Sequence, residues 1–160
     1  MASNPEAAEV LTSLDSDITL PAKLHDSISR YRHDAARYRG AAFKEMSVRS
    51  EFINPLLEEL GWDVTNRSGA IYSEREVIEE DSLTIEGSKR APDYCMLIQG
   101  DRKFFVEAKR PSVDLSTSRD SAYQIRRYCW SARLPFGLIT DFEEFAIYDC
   151  RALQQYRRIW

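Results

Sequence analysis

Two carboxylates and an amine lie at the ends of two neighbouring apolar runs. Asp93 comes directly before the run 94–98, and Glu107 and Lys109 end the run that follows the turn residues 99–101. A Gly-Asp pair between two apolar runs predicts a β-hairpin. Because side chains alternate along a strand, Glu107 and Lys109 share one face of the second strand.

These residue types can support metal-assisted hydrolysis of a phosphodiester. Mg²⁺ takes oxygen ligands, commonly one or two carboxylates together with waters and a substrate phosphate. Strands about 4.8 Å apart bring side chains from both strands to one ion. A lysine beside the ion can orient a water or stabilise charge that develops at phosphorus. An ordinary salt bridge between Lys109 and Glu107 explains the same spacing, and from spacing alone it is the more common case.

A further carboxylate lies on the apolar face of a helix predicted for residues 41–60. Residues placed at 100° intervals put Glu45 and Arg49 in the middle of that face. Its apolar members are Met46, Val48, Phe52, Ile53, Leu56, Leu57 and Leu60. A carboxylate directed at a core needs a partner, because burying it bare is costly. Arg49, one turn away, is one candidate partner, and a metal ion is the other.

The composition describes one globular domain. The chain has 160 residues and is 43% hydrophobic, which suits a single domain with its own core. No apolar run is long enough to span a membrane and the first residues do not resemble a signal peptide, so we expect a cytoplasmic protein with no membrane partner. Cys95, Cys129 and Cys150 are expected to be reduced core thiols, and His25 and His33 ordinary surface residues.

The charge is unevenly distributed. A net charge of −4 disfavours a nucleic-acid partner. Basic residues nevertheless exceed acidic ones in 101–133, while acidic residues dominate 74–86. One face can therefore attract phosphate.

The remaining patterns predict helices and strands around the hairpin. In chain order these are a basic helix (20–39), the helix 41–60, a short strand (62–65), strand pieces within 76–86, the hairpin, a helix (116–133) and two strands (136–140 and 145–149). The basic face of the first helix is either solvated or in contact with a DNA backbone. This order is typical of an α/β layer fold with a mixed sheet.

The residues PD at 92–93 and EAK at 107–109 resemble the PD-(D/E)xK nuclease signature. Three surrounding segments extend the resemblance: the helix KEMSVRSEFINPLLEELGWD, a Q-x-x-x-Y element at 124–128, and the closing LPFGLITDFEEFAIYDC. Over residues 41–150 the chain resembles the N-terminal nuclease domain of restriction enzymes, both the type I motor subunit and the fused restriction and modification enzymes of type IIG. The segment AYQIRRYCWSARLP is closest to the fused type.

The resemblance implies a restriction-endonuclease-like fold, a mixed β-sheet flanked by helices with an αβββαβ core. It also implies a Mg²⁺-dependent DNA endonuclease domain of a restriction-modification system, with Mn²⁺ as a substitute ion and double-stranded DNA as substrate. Two alternatives stay open: a non-cleaving DNA-binding or docking module of the same fold, and a junction-resolvase or repair nuclease. Because duplex cleavage usually needs two active sites, pairing of two copies on DNA is a further expectation.

The resemblance also divides the chain into a polar head with a basic helix (1–40), the nuclease domain (41–150) and the start of a linker or further domain (151–160). The sequence has neither a P-loop nor the Asn-Pro-Pro-aromatic motif of amino-methyltransferases. Any use of ATP or S-adenosylmethionine is therefore expected in methyltransferase, specificity or motor domains, fused C-terminally or present as subunits.

Residue by residue, the resemblance implies a metal site and its supports. The ligands would be Asp93, Glu107, the carbonyl of Ala108 and a glutamate from the first core helix, with Glu45 as first choice and Glu51 as second.

The other implied roles are catalytic and supporting. Lys109 would act on the attacking water or the transition state, Gln124 would position the site or the DNA backbone, and Tyr128 would support it. Expected DNA contacts are Lys89, Arg90, Arg110, Arg119, Arg126 and Arg127.

Overall fold

A five-stranded mixed sheet organises residues 20–151, the part of the chain that the computed structural model describes. The strands are β1 (Val77–Glu79), β2 (Leu83–Ile85), β3 (Ser88–Arg90), β4 (Tyr94–Ile98), β5 (Asp101–Ala108), β6 (Phe136–Thr140) and β7 (Phe145–Asp149). The sheet order is β1-β4-β5-β6-β7, and β2 and β3 form a separate hairpin. β5 and β6 pair in parallel and the other neighbours antiparallel. The predicted α/β fold with a restriction-endonuclease-like mixed sheet is confirmed.

Helices cover both faces of this sheet. They are α1 (Ala22–His33), α2 (Ala35–Tyr38), α3 (Glu45–Val48), a π-helical turn (Arg49–Ile53), α4 (Asn54–Glu59), a 3₁₀ turn (Tyr72–Glu74) and α5 (Arg119–Ser131). α5 is the crossover that parallel pairing of β5 and β6 requires. No helix within residues 20–151 is long and apolar enough to cross a bilayer.

The β4–β5 hairpin forms as predicted. Gln99 and Gly100 both have positive φ, 55° and 81°, the backbone that matches a two-residue turn to the strand twist. Tyr94 lies opposite Val106 in the resulting register. The hairpin thereby brings the start of β4 beside the end of β5.

Alternation along β5 divides its side chains between two cores. Phe105 packs with Ile125, Cys129 and Ile139 under α5. Val106 and Ala108 instead join a core that includes Val48, Ile53, Tyr94 and Met96, formed with the helical segment 45–59.

The contact of α5 with β6 depends on Gly137. A Cβ atom at that position would lie 2.5 Å from Ile125 Cγ1 and 2.7 Å from Cys129 Sγ, closer than atoms tolerate. Cys95, Cys129 and Cys150 are free and buried, as predicted. His25 and His33 are exposed, also as predicted.

An aromatic cluster fixes α1 to the rest of the domain. The buried Tyr31 ring lies 5.1 Å from Phe52 and 5.4 Å from Phe142, measured between centroids, and stacks on Tyr38 at 5.2 Å. Arg39 adds an ion pair to Glu143, with Nε 2.7 Å from Oε1. The basic helix predicted for 20–39 is therefore packed on the core through residues 31–38, although it breaks at Asp34.

Two local predictions are wrong. Residues 62–65 form an irregular segment and a turn instead of a strand, and the Asp63 carboxylate there accepts hydrogen bonds from the N–H groups of Arg67 and Ser68. The helix predicted for 41–60 begins only at Glu45 and contains the π-helical turn, with its wider spacing of hydrogen bonds. Met46 and Leu60, expected on the buried face, are consequently exposed. Strand β3, which pairs with β2, was not predicted.

Candidate active site

The candidate site lies where β4 begins and β5 ends. Asp93 directly precedes β4, Glu107 and Ala108 close β5, and Lys109 follows. The Lys109 N–H donates to the Thr140 carbonyl at 2.9 Å, which extends the pairing with β6 one residue beyond β5. This backbone bond fixes the direction of the chain at the lysine.

Asp93 is held from two sides. Its Oδ2 accepts a hydrogen bond of 2.7 Å from the Ala108 N–H, and its Oδ1 accepts one of 3.1 Å from Arg49 Nη1. The N–H and C=O of one strand residue point to the same side, so the Ala108 carbonyl is directed toward the edge where Asp93 lies. Burial raises the pKa of Asp93 above its usual value, although the Ala108 N–H and Arg49 oppose that rise.

Glu107 is the buried carboxylate of the site, with 4% of its surface exposed. Its Oε1 accepts hydrogen bonds from Lys109 Nζ at 2.8 Å and Gln124 Nε2 at 2.6 Å. Its Oε2 is buried and has no hydrogen-bond partner among the described residues. Burial raises the pKa of Glu107 to about 7, and the nearby Asp93 carboxylate adds to the rise. An unpaired buried carboxylate oxygen is costly and needs a proton or a cation.

Lys109 lies between two carboxylates. Its Nζ is 2.8 Å from Glu107 Oε1 and 4.0 Å from Glu45 Oε2. Burial, the largest single effect, would lower the pKa of Lys109, but the charge and hydrogen bond of Glu107 together with the charges of Glu45 and Asp93 leave that pKa raised. The side chain is therefore a charged ammonium at neutral pH, suited to stabilising negative charge. The salt bridge considered from spacing is present and forms part of this arrangement.

Gln124 and Tyr128 support Glu107 from α5. Gln124 Nε2 donates to Glu107 Oε1 and lies 3.1 Å from the Tyr128 hydroxyl. Residues four apart occupy the same side of a helix, so the Q-x-x-x-Y spacing places both on the flank that faces β5. The structure thus brings together Asp93 and Glu107 with Lys109 and both α5 residues.

The structure distinguishes the two helix glutamates. Glu45, the first residue of α3, has a side chain 41% exposed beside Lys109, and burial raises its pKa. Glu51 is exposed, and its backbone carbonyl accepts a bond from Arg30 at 2.8 Å. Glu45 is therefore the helix carboxylate that lies at the site.

Arg49 is a site residue whose partners the sequence did not predict. The helical spacing suggested Glu45 as its partner, but its ion pairs go to Glu79, Glu80 and Asp93. The position of Arg49 in the middle of an apolar helix face could have indicated that it pairs with carboxylates. Its strand partners are distant in the chain and could not be chosen from spacing.

The donor set suits a hard cation. Asp93 and Glu107 supply carboxylates, the Ala108 carbonyl faces the same edge, and one buried Glu107 oxygen lacks a partner. Mg²⁺ commonly binds through one or two carboxylates and completes its shell with water and phosphate. Within residues 20–151, no three His, Cys, Asp or Glu side chains are grouped closely enough to hold a metal by themselves.

The predicted DNA-contacting residues fall into two sets. Lys89 and Arg90 on β3, Arg110 and Arg119 are exposed. Arg126 and Arg127 on α5 already contact other side chains. Arg127 pairs with Glu86, and Arg126 lies over the Tyr148 ring at 5.3 Å.

Metal-free protein is expected to melt at a higher temperature near pH 5.5 than near pH 8, because Glu107 binds a proton more tightly in the folded than in the unfolded state. The stability from that proton is complete below the unfolded pKa and is lost as pH rises through about 7. The raised pKa values of Asp93 and Glu45 act in the same direction. Thermal melts of Glu107→Gln should show a flatter pH dependence, and equal slopes would contradict the expectation.

Two comparisons with known proteins find related sequences. The family described as type I restriction enzyme R protein N terminus matches residues 73–156. A type II restriction enzyme and methyltransferase of Escherichia coli, RM.Eco57I, is 42% identical over 130 residues, which is 80% of this chain. The chain spans only 13% of the length of that protein. No solved structure gives a significant match. Together with the mixed sheet and the residues at 92–93 and 107–109, these matches show that the chain belongs to the family of type I restriction enzyme R protein N termini, a PD-(D/E)xK-type nuclease domain.

Proposed function

We propose that this chain is the Mg²⁺-dependent DNA endonuclease domain of a restriction-modification system, with Mn²⁺ able to replace Mg²⁺. The observation that carries the proposal is the buried, unpartnered Glu107 Oε2 beside Asp93 and the Lys109 ammonium. That arrangement is costly in a purely structural role and useful around a divalent cation.

Each residue of the site has a role in this proposal. Asp93, Glu107 and the Ala108 carbonyl would hold the ion, with Glu45 as the further carboxylate from the helix. The ion would supply neutralising charge at the scissile phosphate and an acidified water. Lys109 would orient the attacking water and stabilise the negative charge that develops on phosphate oxygens.

Two further residues of α5 fix the site, and basic residues hold the substrate. Gln124 holds Glu107 in place, and Tyr128 holds Gln124. The DNA backbone would contact Lys89, Arg90, Arg110 and Arg119, and Arg126 and Arg127 would add further contacts from α5.

Sequence specificity would come from parts outside this chain. RM.Eco57I combines restriction and methyltransferase functions by its name, and the chain corresponds to a small share of it. We propose a similar arrangement here, in a cytoplasmic enzyme, with residues 41–150 as the nuclease domain and 151–160 leading toward further domains. Any dependence on S-adenosylmethionine or ATP would reside in those parts. Cutting both strands would involve two copies on DNA.

Calorimetric titration with Mn²⁺ tests the metal site. Wild-type protein should show saturable binding and a rise in melting temperature, because an ion that binds only the folded state stabilises it. Asp93→Asn and Glu107→Gln should each weaken binding by at least about tenfold. The exposed Glu74→Gln removes the same charge away from the site and serves as control. Absence of binding by the wild type, or equal binding by all variants, would refute the proposal.

A further inference from the structure

Arg49 is a buried cation at the back of the candidate site. Its side chain is 7% exposed, at the junction of α3 and the π-helical turn. The guanidinium pairs with Glu79 at 2.8 Å, Glu80 at 3.3 Å and Asp93 at 3.1 Å. Its Cζ lies 5.0 Å from the centre of the Tyr94 ring. Short π-helical segments occur frequently at functional sites.

Arg49 contacts the oxygen of Asp93 that the backbone leaves open. Asp93 Oδ2 accepts from the Ala108 N–H and Oδ1 accepts from the guanidinium, so Arg49 is the cation that neutralises this carboxylate. A divalent cation bound to Asp93 would neutralise the same charge. Two positive charges a few ångströms apart also repel each other strongly in a mostly buried site. The cation and Arg49 are therefore competitors for one carboxylate.

The other partners of Arg49 can retain it after it leaves Asp93. Glu79 and Glu80 on the β1 side have side chains 43% and 65% exposed, and both already contact the guanidinium. Arg49 Nη2 bonds Glu79, whereas Nη1 is shared by Glu80 and Asp93. A small movement of Nη1 toward Glu80 would free Oδ1 and keep the arginine paired.

We infer that Arg49 is the resident counter-cation of the metal-free site: it orients Asp93 and compensates its charge until a divalent cation binds, and it then stays on Glu79 and Glu80. Arg49 is thus a positioning residue that also sets the affinity of the site for cations. A purely structural arginine would stabilise the packing of α3 on β1 and leave cation affinity unaffected.

Calorimetric Mn²⁺ binding by wild type, Arg49→Met and Arg49→Lys tests this role. Arg49→Met should bind Mn²⁺ about tenfold more tightly than wild type, because the competing charge is gone, while its metal-free melting temperature falls. Arg49→Lys keeps the charge but loses the fork that spans three carboxylates, so its Mn²⁺ affinity should lie between those of wild type and Arg49→Met. Unchanged or weaker binding by Arg49→Met would overturn the inference.

A second variant covers the case in which Arg49→Met does not fold. Glu79→Gln removes an exposed anchor, so Arg49 should remain more firmly on Asp93 and Mn²⁺ affinity should fall by about threefold relative to Glu74→Gln. Equal affinities of these two variants would overturn the inference. The inference about Arg49 rests on the proposed metal site, and the wild-type protein shows which of the two is wrong. If the wild type does not bind Mn²⁺, both the metal site and the role of Arg49 are refuted. If the wild type binds Mn²⁺ and the variants bind it equally well, only the role of Arg49 is refuted.

Discussion

Lys109→Met is expected to slow Mg²⁺-dependent nicking of supercoiled plasmid by about 100-fold or more, while Mn²⁺ binding is retained. Nζ lies 2.8 Å from Glu107 and 4.0 Å from Glu45, and the raised pKa of Lys109 keeps it charged at neutral pH. Met preserves the apolar stem and removes only the charge. The variant should therefore lose cleavage and keep Mn²⁺ binding, because the amine would act on the charge that develops at the phosphate and not on the ion.

Time courses of nicked and linear product measure this effect. Lys103→Met is the matched control, since Lys103 lies near the start of β5, away from the site, and pairs only with Asp101, at 3.4 Å, among the described ion pairs. Both variants should be assayed below their melting temperatures, because Lys109→Met leaves Glu107 without its ion-pair partner. Equal nicking by the two variants would show that Lys109 has no part in cleavage. A wild type that binds Mn²⁺ and DNA without nicking would favour the non-cleaving module.

Phe105→Ala is expected to lower the free energy of unfolding by about 3–5 kcal/mol. The ring is fully buried beneath α5, in contact with the core that includes Ile125 and Ile139. It also lies two residues before Glu107 on the same face of β5, so its loss would loosen the strand that carries the site. Within residues 20–151, Phe105 belongs with Tyr94 and Phe52 to the three largest fully buried side chains.

Chemical denaturation provides the measurement, with Cys95→Ala as comparison. Cys95 lies directly opposite Phe105 in the β4–β5 register and is equally buried, but its substitution removes a single sulfur atom. Its loss should therefore be clearly smaller, at about 1 kcal/mol. A Phe105→Ala protein with unchanged stability would contradict the central place of the hairpin in the core.

The sequence alone predicted the hairpin, the last two strands and the pairing of Gln124 with Tyr128, because each depends only on residues close together in the chain. Alternation and turn chemistry predicted the hairpin, because strand periodicity and a tight turn are properties of consecutive residues. The strands Phe136–Thr140 and Phe145–Asp149 were predicted with their observed bounds for the same reason. The i, i+4 spacing of Gln124 and Tyr128 likewise required only that their helix exist.

Only the tertiary structure decided which distant charges meet. The π-helical turn departs from the 100° spacing used for the helical projection, so the projection misplaced Met46 and could not choose the partners of Arg49. Arg49 pairs with Glu79 at the end of β1, with the neighbouring Glu80 and with Asp93, and Glu45 lies beside Lys109. A sequence states which side chains carry charge. Their desolvation, their partners and the unpaired oxygen of Glu107 depend on how the sheet and helices pack together.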